Sequence, residues 1–122
     1  MWHKNVLTAY VRESRYTEGL LQKCDRFSAA FFGMNRRKEL GILGAKSGRD
    51  CDKLKEAGLT ATELDGVPAI KEADMVLVLR KLYRQKMDKS CFTVPGYDQE
   101  FYADNDMHVL YLAEIEKVYV AE

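Results

Sequence analysis

The sequence predicts a mainly β fold with short helices, an α+β chain of one domain. Three observations predict it. Four runs rich in Val, Leu, Tyr and Phe carry strand signals, at Val6–Arg12, Phe27–Phe32, Met75–Tyr83 and Met107–Val120. Two shorter runs flank Asp65-Gly66, a dipeptide suited to a tight hairpin turn. The helical patterns between the strands are all short.

Taken in order, Val6–Arg12 is an apolar strand without proline, and Thr17–Asp25 follows as a helix. Phe27–Phe32 is the second strand and Arg36–Leu43 the second helix. A third helix is expected over Asp50–Ala57, closed by Gly58 as its C′ residue, with Ser47 and Asp50 in a capping arrangement. Thr60–Leu64 and Val67–Ile70 form a hairpin with a primed turn. In Met75–Tyr83, Leu77 and Leu79 alternate with Val76, Val78 and Leu82, so neither face is directed at solvent. A small barrel would bury one face; the other meets either the short helices or a second subunit.

Composition narrows the function classes. The 122 residues form a single domain, 1–122, large enough for one core. Nineteen basic side chains balance nineteen acidic ones, which argues against nucleic-acid or anionic-membrane binding driven by bulk charge. The three cysteines (Cys24, Cys51, Cys91) are odd in number and lack CxxC spacing. That argues against a disulfide framework and a zinc site, and a reducing cytoplasm fits. No run approaches membrane-spanning length and no leader pattern opens the chain.

The stretch Arg12-Glu13-Ser14-Arg15-Tyr16-Thr17 runs from a strand into a helix. Such a turn offers hydroxyl donors, guanidinium forks and the unpaired N–H groups of a helix start, which suits a phosphate monoester. Its other reading is an ordinary Thr17 N-cap with solvated arginines. Lys46, Ser47, Gly48 and Arg49 make a second cationic segment at a helix start, either near a ligand or a solvated loop before the caps Asp50 and Asp52. Asp104, Asp106 and His108 alternate oxygen and nitrogen donors, but three ligands from one loop make a weak metal site, and no metal is expected. No Ser-His-Asp or Cys-His arrangement suggests nucleophilic catalysis.

The turn and the cationic run together resemble the flavin reductase-like family, the flavoredoxin-type FMN-binding split barrels. Arg12–Thr17 resembles the family's Arg-Pro-Ser-Arg-Tyr-Thr segment, with Glu13 in place of proline. The likeness continues through Phe27–Phe32, Gly44–Lys53, Leu79–Tyr83 and His108–Ile115. It implies a split β-barrel that binds FMN, N-terminally incomplete because family members carry further strands and a Thr-x-Ser loop ahead of Trp2.

The resemblance implies that Ser14, Arg15 and Thr17 take the FMN phosphate, with Arg15 or Arg12 neutralising it. It also brings Lys46, Ser47, Gly48 and Arg49 near the flavin. His108 matches a histidine that can donate to the flavin ring or to a nicotinamide substrate, or else serves structure. The implied protein passes hydride or electrons through bound flavin, and an NAD(P)H-dependent flavin oxidoreductase is one form of it. It is a homodimer with flavin at the subunit interface, with a nicotinamide donor or a redox protein as partner. A non-catalytic dimeric scaffold without flavin is the alternative.

Overall fold

The computed structural model describes residues 1–45 and 52–121. Four strands form one antiparallel sheet in the order β1-β6-β5-β2: β1 (Val6–Arg12), β2 (Arg26–Phe31), β5 (Met75–Lys86) and β6 (His108–Val120). β3 (Ala61–Leu64) and β4 (Val67–Ile70) make a separate hairpin. Asp65 and Gly66 adopt φ of 52° and 76°, the positive values that a type I′ turn needs at both central residues.

Each face of the sheet has its own cover. On one face, Leu21 of helix α1 (Tyr16–Gln22) packs with Val109 and Tyr111, and Ala9, Val11 and Phe27 lie against them; Leu77, Leu79 and Ala113 form an adjoining cluster with Leu7, Phe27 and Ile115. On the other, Val76 packs with Ala69 and Ala73 at the hairpin side, with Leu64, Phe32 and Tyr119 around them. This accounts for the doubly apolar stretch of β5: Val76, Leu77, Val78 and Leu79 are all buried. Leu82 and Tyr83 are exposed, because the register with β6 skips Leu82 in a bulge that re-aims the strand. A second bulge skips Glu116.

Several element ends move from their sequence-based positions. β5 runs on to Lys86 despite the polar Arg84-Gln85-Lys86, since β6 supplies partners as far as Val109. α1 stops at Gln22 because the Asp25 carbonyl already accepts the Lys81 N–H, drawing the chain into the sheet. α2 spans Arg37–Ala45, and α3 is a single turn, Lys53–Glu56, capped by the Asp52 carboxylate on the Lys55 N–H at 3.3 Å. Gly58, at φ 73°, is its C′ residue as expected. The Leu59 and Gly58 N–H groups close on the Leu54 and Lys55 carbonyls in a Schellman arrangement.

Helix α4 (Tyr97–Tyr102) has no counterpart among the expected elements. It is entered through Gly96 at φ 91° and held by edge-to-face stacking of Tyr97 on Phe101 and of Phe92 on Tyr97.

Candidate functional site

The end of β1, the start of β6 and the turn into α1 meet α2 and α3 around an open groove of ≈ 400 Å³. It is lined by Tyr10, Val11, Arg12, Arg15, Thr17, Leu43, Gly44, Lys53 and His108. Antiparallel pairing sets Arg12 opposite His108, so two residues far apart in the chain share one end of the sheet. The structure thus brings together four of the residues that the sequence singles out: Arg12, Arg15, Thr17 and His108.

The turn before α1 is locked by Asp106. Its carboxylate accepts the Ser14 hydroxyl at 2.6 Å and the Ser14 N–H at 3.1 Å, while its carbonyl accepts Arg12 Nη1 at 2.9 Å. These Ser14 bonds, with the Arg12 charge beside them, hold the Asp106 carboxyl below the ordinary carboxylate range. Ser14 therefore fixes the turn through Asp106 and is not among the residues lining the groove. Arg12 is partly neutralised by the same carboxylate, at 3.8 Å.

Arg15 occupies the N-cap position of α1 in an extended conformation, which puts Thr17 one residue inside the helix rather than at its cap. Among the described residues, the Arg15 side chain meets no carboxylate and the Thr17 hydroxyl has no hydrogen-bond partner. Lys53, which the sequence did not single out, reaches the same groove from α3. Its Nζ donates to the Leu43 carbonyl at 3.1 Å. No acidic residue stands among the described lining residues, so Arg15 and Lys53 leave the groove electropositive.

His108 supplies a polar edge. Its Nδ1 lies 2.6 Å from the Tyr102 hydroxyl, and the two rings meet edge to face with centroids 5.6 Å apart. Lys46, Ser47, Gly48 and Arg49 lie outside the described residues, as does Cys51. Cys24 and Cys91 are free thiols. No helix among the described residues is long and apolar enough to cross a membrane.

The groove also fits the steric and chemical demands of a phosphorylated cofactor. Its volume falls within the range of about 300–1,000 Å³ usual for cofactor clefts. Two cations and a hydroxyl without competing carboxylates suit a dianionic phosphate, and the apolar Val11 and Leu43 with the Tyr10 ring suit an aromatic body.

Solved structures with this fold are known. An FMN-binding protein from Thermus thermophilus, solved with bound p-hydroxybenzaldehyde, superposes with a TM-score of 0.75 over 100% of this chain and 58% of its own, at 24% identity. A split-barrel domain protein from Shewanella frigidimarina gives 0.76 over 100% and 55%, at 14% identity. Flavoredoxin of Desulfovibrio vulgaris gives 0.71 over 96% and 54%, at 18% identity. The chain spans just over half the length of each of these proteins. No protein-family model matches the sequence, and no curated protein matches it. At these identities the likeness establishes the fold, a split barrel.

Proposed function

We propose that this chain binds FMN and serves as a redox protein of the flavin reductase or flavoredoxin type. The observation that carries the reading is the electropositive groove, where Arg15, Lys53 and Thr17 stand together with no acidic residue among the described lining residues. Similarity to FMN-binding split barrels supports it.

In this reading, Arg15 and Lys53 hold the phosphate and Thr17 donates to it. Arg12, tied to Asp106, shapes the turn more than it neutralises the ligand. Tyr10, Val11 and Leu43 cover the aromatic body, and His108 offers a donor at the ring side of the groove. When bound, FMN supplies the capacity to accept and pass on hydride or electrons, so no side chain need act as nucleophile. The protein positions the cofactor.

The cofactor-bearing form is a homodimer, with the donor a nicotinamide or a redox protein. The free edge of β1, which has β6 on one side and no other strand partner among the described residues, supports self-association.

Titration with FMN and with riboflavin tests the reading. Replacing Arg15 and Thr17 with alanine removes charge-assisted contacts worth about 1.5–3 kcal/mol, roughly ten- to a hundredfold in affinity, for FMN alone. Equal losses for both flavins would refute the phosphate assignment.

A further inference from the structure

We propose that Tyr102 is a positioning residue that fixes the tautomer of His108, leaving its Nε2–H as a hydrogen-bond donor facing the groove. The ligand atom it serves is an acceptor on the flavin ring, and that part rests on the FMN reading above.

Tyr102 is buried, and among the described residues its oxygen has two neighbours with hydrogen-bonding capacity: His108 Nδ1 at 2.6 Å and Met87 Sδ at 3.9 Å. Two arrangements satisfy the shorter contact. In one, the phenol donates to Nδ1, so a neutral imidazole keeps its proton on Nε2. In the other, Nδ1–H donates to the phenol oxygen and the phenol proton has the Met87 thioether as its acceptor. A thioether is a weak acceptor and 3.9 Å is long, so the second arrangement leaves a buried O–H nearly unmet. The first spends the strong donor on the strong acceptor.

The surroundings keep the two rings in this relation. Tyr102 ends α4, where its ring lies 5.9 Å from Phe92 and beneath the Arg12 guanidinium, 5.6 Å from the ring centroid. His108 is held by the first ladder position of β6, opposite Arg12. Among the described residues, Tyr102 is the one hydrogen-bond partner of the His108 ring. Its second nitrogen is therefore left for the groove that His108 lines. A ring whose far nitrogen is always a donor discriminates for acceptor atoms, which is the use that a tautomer lock provides.

Nitrogen-15 NMR of the labelled full chain decides the tautomer without any flavin. Neutral His108 is expected to show a protonated Nε2 and a bare Nδ1 whose nitrogen shift is displaced by the hydrogen bond it accepts, with no detectable Nδ1–H form. Tyr102→Phe is expected to remove that displacement and admit the minor Nδ1–H tautomer. A protonated Nδ1 in the parent protein, or unchanged ring shifts in the variant, would overturn the proposal. Met87→Leu removes the rival acceptor and should leave the tautomer as it is; a changed tautomer there would also count against it.

Titration with both flavins tests the ligand. Tyr102→Phe should weaken FMN and riboflavin alike, by about three- to tenfold, since the ring is common to both. Undiminished binding of both would overturn the ring contact, and loss confined to FMN would move His108 to the phosphate. If the parent chain binds neither flavin, the FMN reading and the ring contact fall together, while the NMR result still decides what Tyr102 does to His108.

Discussion

The carboxylate of Glu18, 2% exposed, accepts the hydroxyl of the fully buried Tyr111 at 2.6 Å. Arg84 donates to the same carboxylate from β5, and Gln22 from the next turn of α1 at 3.0 Å. Arg84 Nε also donates to the Tyr111 oxygen at 3.2 Å. A buried charge survives only when paired and fully bonded, and this one is. The helix it fastens to the sheet is the one that begins beside Arg15 and carries Thr17, so the clamp sets the position of the groove's cationic wall.

Burial alone would push the Glu18 carboxyl up, but the bonds from Tyr111, Arg84 and Gln22, with the Arg84 charge, hold it below the ordinary glutamate range. A carboxyl lowered in the folded state contributes stability above the unfolded value, near about 4.3, and loses it as pH falls through the lower folded value. Glu18→Gln is therefore expected to cost about 1.5–3 kcal/mol at neutral pH, and less as the solution is acidified below about pH 4. Urea denaturation at several pH values measures both. A pH-independent difference between the two proteins would refute the clamp.

Asp65 binds the hairpin turn to the sheet through Arg26 and Lys117, and Glu116 of β6 pairs with Arg26 and Arg80 beside it, all of them partly solvated. Lys117 and Arg26 hold the Asp65 carboxyl below its usual range, and Arg80 with Arg26 does the same for Glu116. Exposed pairs are screened by salt. Asp65→Asn should lower the melting temperature in dilute buffer, with the gap closing near about 1 M salt. A gap that persisted at high salt would mean that Asp65 acts through the turn's backbone, where its φ is positive.

Much of this architecture is readable in the sequence, for local reasons. Val6–Arg12 is found to the residue, since one apolar run pairs along its whole length with β6. Asp65-Gly66 and Gly58 announce their turns because few other residues accept positive φ cheaply. The polar end of β5 is not readable, because its strand state is imposed by β6 across the sheet. α4 left one unused signal, the four-residue spacing of Tyr97 and Phe101 after Pro95-Gly96. In the groove, Arg12, Arg15, Thr17 and His108 could be named from the sequence. Lys53 closes the Gly44–Lys53 likeness but is not assigned to the site by it, because its reach into the groove depends on where α3 lies, and Ser14's bond to Asp106 spans 92 positions.

Self-association follows from the sheet's open edge. β1 presents exposed Thr8 and Tyr10, and its backbone groups away from β6 have no strand partner among the described residues. Such an edge is a template for pairing with another chain. Light scattering of a dilute sample should give at least a dimer. Tyr10→Lys, a charge of the kind that blunts natural edges, should shift the equilibrium toward monomer. A clean monomer in the parent protein would refute an interface at this edge.

Lys53 gives the sharpest test of the groove itself, because it enters from α3 and not from the turn before α1. It reaches the groove from α3, across from Arg15 at the start of α1, and its ammonium rests on the Leu43 carbonyl. If both cations touch one phosphate, each partly compensates for loss of the other, so their effects are coupled. Lys53→Ala is expected to weaken FMN about tenfold and to leave riboflavin nearly unchanged. The double variant with Arg15→Ala should then depart from the product of the two single losses, which isothermal titration of the four proteins would reveal. Strict additivity would place the two cations on different parts of the ligand. An unchanged FMN affinity in Lys53→Ala would remove α3 from the site and leave the turn before α1 to hold the phosphate alone.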